Sequence, residues 1–543
     1  MTRTKSLPLF HFVAAIAAFA PAILLGFWQM LMRSPLPAPL ADSNAYYASV
    51  TAHGSIMAYV FPTLFAMGFG YVIVEDALKQ ALIGLRWAWV GFWMCVAGSI
   101  IAVIPVAAGR SSVLYTFYPP LVGSPFFYLG IVLVVLGSYV WVVLMLVNLR
   151  AWKREHPGQP VPLPMFAIGA TALLWGLTAL GASTEVIFLI IPAAFGWTHS
   201  IDPGLSRTLF SFTLHAIVYF WLLPAYIAYY TLLPRAAGGR LYSDTMGRIA
   251  FILFLVFSLP VGMHHLFMDP EHGSGFKFVQ SVLTFFVALP TLLTVYSITA
   301  SLEVAGRARG GKGLIGWIRR LPWDEPMVLA VGLSLIMLGL GGFGGLINMS
   351  YAMNATIHNT AWVTAHFHLI YGGAVVIVYF AIFYHLWPRL TGRELISKRL
   401  ACRQLWMWCI GMLVTTIPWH IAGLMGQPRR YSTFDYSDPF IARMGPLVIL
   451  SVIGALIIVS SVLLFCYILV RSRSCSVVET PSIKFAVAVN PPTSVPAILN
   501  GFGFWTVLTV CLICLSYGYP IAEFFMLPNH NVPVNSLTRE MVK

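Results

Sequence analysis

Two histidines in the middle of a long apolar run carry the first chemical signal of this chain. In Thr364-Ala365-His366-Phe367-His368 the imidazoles stand two residues apart. On a helix, positions i and i+2 point about 200° apart. One helix therefore offers an imidazole to each of two opposite sides, the arrangement two flanking metal centres need. An imidazole buried in hydrocarbon without a partner is costly, so such residues call for a function. Four more lie in apolar runs: His53, His215, His264 and His265.

The elements that must position them are membrane helices. The chain has 543 residues, 59% hydrophobic and only 9% charged, with a mean hydropathy of +0.82. A soluble protein of this length carries far more charge. Apolar runs recur at 8–31, 45–75, 86–108, 125–150, 163–193, 205–234, 246–268, 273–302, 326–348, 357–389, 401–426, 444–471 and 499–522. Each is long enough to cross about 30 Å of hydrocarbon. Only helices satisfy their own backbone in such runs, so the expected fold is all-α: one integral membrane domain of about 13 transmembrane helices.

The net charge of +14 suggests nucleic acid or an acidic partner until its placement is considered. With the N-terminus inside, about 23 of the Lys and Arg fall in inner loops and about 9 in outer ones. The largest inner groups are Arg307, Arg309, Lys312, Arg319, Arg320 and Arg389, Arg393, Lys398, Arg399, Arg403. This positive-inside bias sets a cytoplasmic N-terminus and, after thirteen spans, an outer C-terminus. No basic tail or nucleic-acid module is present. The first run resembles a signal peptide but is long, and is read as an uncleaved helix. Most of the seven cysteines lie in spans and form no disulfide framework or zinc site; Cys511 and Cys514 form a CxxC on a membrane helix, where plain packing explains them. A polar linker over 472–498 precedes the last span.

Topology then gives the six histidines a common level. Counted from the outer ends of their spans, all fall about 5 to 18 Å below the outer surface. His264 and His265 can lean toward one ion and His215 can supply a third nitrogen, a set that suits copper or another late first-row metal. His53 and one of His366 and His368 can hold a haem from both faces, while the other holds a second haem from one face. Tyr219, four residues after His215, shares its helical face and is either a redox phenol or an ordinary bundle aromatic. Tyr219, Tyr226 and Tyr230 share one face of a span running inward, and Thr291, Thr294 and Ser297 occupy the inner half of another. These hydroxyls can hold a proton path; a polar packing stripe is the structural alternative. Glu185 is a lone acid in mid-span, either part of such a route or a protonated packing residue.

The segments Thr51-Ala-His-Gly54, His215-Ala-Ile-Val-Tyr-Phe-Trp-Leu-Leu-Pro-Ala-Tyr226, Gly262-Met-His-His265, His358-Asn-Thr-Ala-Trp-Val-Thr-Ala-His-Phe-His368 and Gln427-Pro-Arg-Arg430 resemble subunit I of the haem–copper oxygen reductases, B class, over essentially all thirteen spans. The resemblance implies that His53 and His368 ligate a low-spin haem, haem b, and that His366 ligates a high-spin haem of a or o type. It implies that His215, His264 and His265 hold a copper ion, with Tyr219 joined covalently to His215. Arg429 and Arg430 would clamp haem propionates, with His358 and Asn354 near those of the high-spin haem. The six hydroxyl residues would form a K-type proton channel.

The chain departs from the family in a few places. The family has a Gly before, and a Pro after, the first copper-ligand histidine, where this chain has Leu214 and Ala216. Ser211 and Phe212 sit where tryptophans are common, which implies a reshaped distal cavity. Asn354 replaces an aspartate; an amide cannot take up a proton, which bears on pumping more than on oxygen chemistry.

The expected function is the catalytic subunit of a terminal respiratory oxidase, reducing O2 to water in a bacterial plasma membrane. Electrons would come from cytochrome c or another outer donor through a subunit II carrying a dinuclear copper site, with small accessory subunits, surrounding lipid and no nucleic acid. Proton uptake, and pumping with it, would be coupled to turnover. The competing expectations are a nitric oxide reductase on the same frame, which needs no phenol radical, and a non-redox proton-coupled transporter, which would place acids at mid-depth.

Overall fold

The structure, a computed structural model, describes residues 3–40, 42–479, 482–526 and 530–534. Met1 and the last residues of the chain, on which the two expected terminus placements rest, lie outside the described residues. The described residues form thirteen long helices: α1 Ser6–Met32, α2 Ser43–Leu78, α3 Leu85–Ala107, α4 Pro125–Glu155, α5 Leu163–Ala194, α6 Pro203–Thr231, α7 Asp244–Ser258, α8 Ser274–Ala308, α9 Pro326–Met349, α10 Ala361–Thr391, α11 Lys398–Leu424, α12 Gly445–Ser472 and α13 Gly503–Met526. All but α7 are long and apolar enough to cross a membrane. Among the described residues the strands are a two-residue antiparallel pair, Ser200–Ile201 with Val532–Pro533.

Polar side chains start the helices where the chain enters them. Asp42, Asp202, Ser243 and Ser397 each accept a hydrogen bond from a first-turn backbone N–H, at α2, α6, α7 and α11. Proline opens α4, α6 and α9, where its missing N–H costs nothing. α3 lies against α4 through facing glycines: a Cβ on Gly130 would sit 2.5 Å from the Gly98 carbonyl oxygen. Small residues let membrane helices approach this closely without a hydrophobic driving force.

The expected span 246–268 is corrected. The α-helix ends at Ser258, and His264 and His265 ride instead on a 3-10 turn, Gly262–Leu266. Pro260 is the reason: it has no N–H to give, and it disfavours helical geometry at the residue before it.

Three spans carry an internal π-helical stretch. They are Ile56–Val60 in α2, Val186–Ile190 in α5 and His368–Val375 in α10. Phe61-Pro62 and Ile191-Pro192 follow the first two, and each proline faces a carbonyl four residues back inside the stretch. The third contains Gly372 and Gly373. Each widened turn rotates the residues before it relative to those after it. Such turns are frequent at functional sites.

At the end of the bundle formed by the C-terminus of α10, Arg389 pairs with Glu75 and Asp76 of α2, both at 3.0 Å. Asp76 also accepts the backbone N–H of Ile483 at 3.1 Å, so the cluster ties the 472–498 linker to two helices. All three side chains are largely buried. Arg389→Leu leaves two carboxylates uncompensated and should destabilise the protein by about 3–5 kcal/mol, read as a lowered Tm of the detergent-purified protein. Adding Glu75→Gln and Asp76→Asn should recover part of the loss.

Candidate metal centres

The 3-10 turn after α7 is pressed onto α6. A Cβ on Gly262 would fall on the Ser211 carbonyl oxygen, and the Gly262 N–H donates to Tyr517 Oη of α13 at 2.8 Å. This contact brings His264 and His265 to His215. The three imidazoles offer ligand nitrogens that all lie within 4.8 Å of one another. Their ring centroids are 4.5 Å (His215–His264), 5.8 Å (His215–His265) and 4.2 Å (His264–His265) apart. His264 Nδ1–H donates to the Val261 carbonyl at 2.5 Å and lies 3.3 Å from Thr284 Oγ1 of α8, which leaves its Nε2 free. The Nε2 atoms of His215 and His265 are buried with no hydrogen-bond partner. Three converging imidazoles, two with orphaned ring nitrogens, fit a late first-row metal ion such as copper.

His53 of α2 and His368 of α10 face each other with centroids 6.1 Å apart and planes 10° from parallel. An ion bound on both sides at about 2.0–2.1 Å would set two such centroids about 6.3 Å apart, so the gap fits one hexacoordinate iron. The sequence left the partner of His53 open between His366 and His368; the structure sets His368 opposite it. His53 Nδ1–H donates to the Ala22 carbonyl (2.8 Å) and His368 Nδ1–H to the Thr364 carbonyl (2.7 Å), leaving both Nε2 atoms free. Both rings are enclosed by protein yet keep accessible surface, as residues lining an internal cleft do.

His366 turns the other way, toward α9. Its Nδ1–H donates to the Gly341 carbonyl at 2.9 Å, and a Cβ on Gly344 or Gly345 would come within 3.2 Å of its ring. It lies within electrostatic range of His215 and His264. One histidine of α10 thus faces the trio and the other faces His53, as the i, i+2 spacing requires.

Above this level, Arg429 and Arg430 follow the end of α11. Arg429 Nε is buried and unpartnered, and among the described residues neither arginine pairs with a carboxylate. Burial and its neighbour Arg430 pull the Arg429 guanidinium down to about 10. Two uncompensated guanidiniums fit an anionic group such as a propionate. His358 Nδ1 and Asn354 Oδ1 are 2.9 Å apart, and burial with the two arginines holds His358 down at about 4, a neutral imidazole.

Tyr219 is beside His215, ring centroids 5.1 Å apart. Farther along α6, Tyr230 Oη donates to Thr294 Oγ1 at 3.2 Å. Thr291 lies beside Tyr226 and Ser297 beside Tyr230. Tyr226 Oη and Ser297 Oγ are buried without a partner. The hydroxyl set therefore gathers between α6 and α8, while Tyr229 turns away to Ser334 of α9.

Sequence reasoning overlooked several neighbours. Trp419 and His420 are consecutive on α11: Trp419 packs 5.3 Å from His368, and His420 stands near His366. Thr284 touches His264. The apolar setting of His420 was a signal of the kind used for the other histidines. His11, buried in α1, was overlooked as well; it donates to the Leu7 carbonyl and packs on Tyr71 and Phe92, as a core histidine does. Near the trio, Ser211 Oγ donates to the Thr208 carbonyl (2.7 Å), and Phe212 packs edge-on to Tyr517. Leu214 is half-buried and Ala216 fully buried.

Comparison with known proteins agrees with this arrangement. The profile of a family described as Cytochrome C and Quinol oxidase polypeptide I matches residues 7–457. The chain is similar to cytochrome c oxidase subunit 1 of Thermus thermophilus, 38% identical over 537 residues, which are 96% of this chain and 95% of that one. It is similar to the heme-copper oxidase subunit I+III of Aeropyrum pernix, 28% identical over 87% of this chain and 58% of that one. A cryo-EM structure described as a heme-copper terminal oxidase dimer superposes with a TM-score of 0.94 at 33% identity, covering 99% of this chain and 96% of that one.

Thr284→Val removes the hydroxyl beside His264 Nδ1 and leaves every nitrogen ligand in place. Metal affinity of the trio should fall about 10–100-fold, measured by chelator competition, with the fold retained.

Proposed function

The chain belongs to the cytochrome c and quinol oxidase polypeptide I family, and from that premise we propose a role for each residue of its histidine level. It is an integral membrane protein and the catalytic subunit of a haem–copper terminal oxidase, a cytochrome-c oxidase that works with haem, copper and further subunits on O2. The relatives are named as oxidases, and nitric oxide reduction is not favoured. Mid-span acids are few, and a non-redox transporter has no use for the histidine trio.

In the proposed site, His215, His264 and His265 hold copper, His366 holds the high-spin haem iron, and His53 and His368 hold the low-spin haem iron. The observation that carries this is the convergence of the three ligand nitrogens within 4.8 Å with His366 in range of two of those rings. Bound there, haem and copper supply the binding and four-electron reduction of dioxygen. The chain's own groups do the rest. Backbone carbonyls at Ala22, Val261, Gly341 and Thr364 fix four imidazoles by their Nδ1–H. Tyr219 Oη gives up a proton, and the ring an electron, beside His215, whose ring it contacts at 5.1 Å; its joining to that histidine is part of the same proposal. Protons reach it by the hydroxyls of Ser297, Thr294, Tyr230, Thr291 and Tyr226 in turn. Arg429 and Arg430 bind propionates, with the Asn354–His358 pair beside them.

The finer assignments belong to the same proposal. The low-spin haem is haem b and the high-spin haem is of a or o type. Electrons enter from cytochrome c through a subunit II with a dinuclear copper site, and small accessory subunits complete the assembly. The chain sits in a bacterial plasma membrane in this proposal, and the positive-inside bias supports a cytoplasmic N-terminus and an outer C-terminus.

The purified complex should show low- and high-spin haem in reduced-minus-oxidised spectra, one copper for the trio, and oxygen uptake with cytochrome c. Absence of copper together with no uptake overturns the site. Tyr219→Phe should keep haem and copper and lose about 10²–10⁴-fold in oxygen turnover, the scale of a lost proton donor. Thr294→Val should slow proton uptake while electron entry into the low-spin haem is unchanged, read by flash-induced spectroscopy and a pH indicator.

A further inference from the structure

The C-terminal end of α4 and the N-terminal ends of α5 and α13 meet around a groove of about 740 Å³. The positive-inside bias supports a cytoplasmic setting for this level. The α4 wall is one helical face. Leu146, Leu149, Arg150 and Lys153 follow the i, i+3, i+4, i+7 spacing, with Arg154 beside them. The face is apolar toward the middle of the bundle and cationic at its end. Phe166 and Leu173 of α5 stand seven residues apart and continue the apolar wall. Leu173 is ten residues into α5, about 15 Å of rise from its start.

Side-chain contacts hold this groove in shape. Phe502 stacks on Phe166 with ring centroids 4.5 Å apart. Asn500 knots the entry of α13 to both neighbours. Its Oδ1 accepts the Val161 N–H at 2.8 Å, its Nδ2 donates to the Gln159 carbonyl at 3.0 Å, and its carbonyl accepts from Lys153 Nζ at 2.7 Å. Beyond that knot α13 leans on α7 and α6. A Cβ on Gly503, which lines the groove, would meet nothing within 4 Å. Val507 on the rim is exposed, as a lipid-facing residue is.

The charge here is unmatched. Among the described residues none of Arg150, Lys153 and Arg154 pairs with a carboxylate, and no acid lines the groove. Arg248 shows the contrast: it lies over the Phe166 ring at 5.1 Å and is paired with Asp244 at 2.5 Å. Lys153 keeps two N–H donors beyond its bond to Asn500. A soluble anion has no use for the apolar wall, and an uncharged chain has none for the cations. An anionic phospholipid uses both, as basic pockets between membrane helices on the cytoplasmic side do.

We propose that this groove binds one anionic phospholipid of the inner leaflet. Arg150, Lys153 and Arg154 hold its phosphate, and an acyl chain lies along Leu146, Leu149 and Leu173. The bound lipid joins α4, α5 and α13 at one end of the bundle. Its binding involves none of the metal-centre residues.

The test is native mass spectrometry of the whole purified complex in detergent, with dioleoyl phosphatidylglycerol or dioleoyl phosphatidylcholine added, and Tm as a second readout. The parent should retain one phosphatidylglycerol molecule, preferred over phosphatidylcholine by roughly 10²-fold at low salt, the scale three cations at a membrane surface imply. Its Tm should rise on adding that lipid, and salt should narrow the preference. Combined Arg150→Gln, Lys153→Gln and Arg154→Gln should abolish the preference with haem spectra and oxygen uptake unchanged. Gly503→Trp keeps all three cations and fills the groove, so it should lose the retained molecule. Equal retention of the two lipids by the parent, retention of phosphatidylglycerol by either variant, or equal stabilisation by inorganic phosphate overturns the proposal. The measurements on the parent decide by themselves if a variant fails to fold.

Discussion

The cost of placing an imidazole in hydrocarbon organises this protein. Each histidine of the central level needs one partner for its N–H and one for its lone pair. In His53, His264, His366 and His368 the first is a backbone carbonyl, three of them between 2.7 and 2.9 Å from Nδ1. That bond fixes the tautomer and aims Nε2 into the interior, and the lone pair is left for a metal. Helices that supply these carbonyls therefore shape the proposed metal centres although they offer no ligand: α1 gives Ala22, and α9 gives Gly341. The glycines of α9 make room for His366 by having no side chain.

Irregular backbone serves the same end. α2, α5 and α10 widen into π turns, and α7 stops at Leu259-Pro260 and gives way to a 3-10 turn. Irregular backbone at membrane depth is tolerated where it is buried in protein, as the stretches of α2 and α10 and the turn at His264 and His265 largely are, while the stretch of α5 keeps Ile187 and Phe188 exposed. The outcome at the 3-10 turn is that two adjacent histidines reach α6; the two histidines of α10 divide between two faces by their i, i+2 spacing alone. Charge is arranged with equal economy. The carboxylates Glu75 and Asp76 are matched by Arg389, while among the described residues Arg429 and Arg430 meet no carboxylate.

Much of the site was legible in the chain because a histidine or acid inside an apolar run is conspicuous. The all-α membrane fold and the presence of six histidines inside apolar runs follow from hydropathy and helical period. Other features were not legible. His264 and His265 read as the end of a helix, since apolarity continues through Pro260 and only the proline hinted at a stop. Trp419 and Thr284 look like any bundle residues until α11 and α8 are laid beside their partners. The reach of His358 to Asn354 is a local i, i+4 contact, but its meaning depends on Arg429, far along the chain.

Sequence by itself determined what each side chain is able to do and at what depth it lies, because hydrocarbon length, helical rise and the cost of buried polarity act on every span separately. Only the tertiary structure decided which imidazoles meet. The pairing of His53 with His368 and the meeting of His215 with a histidine forty-nine residues on depend on helix-to-helix packing, which has no local signature in the chain.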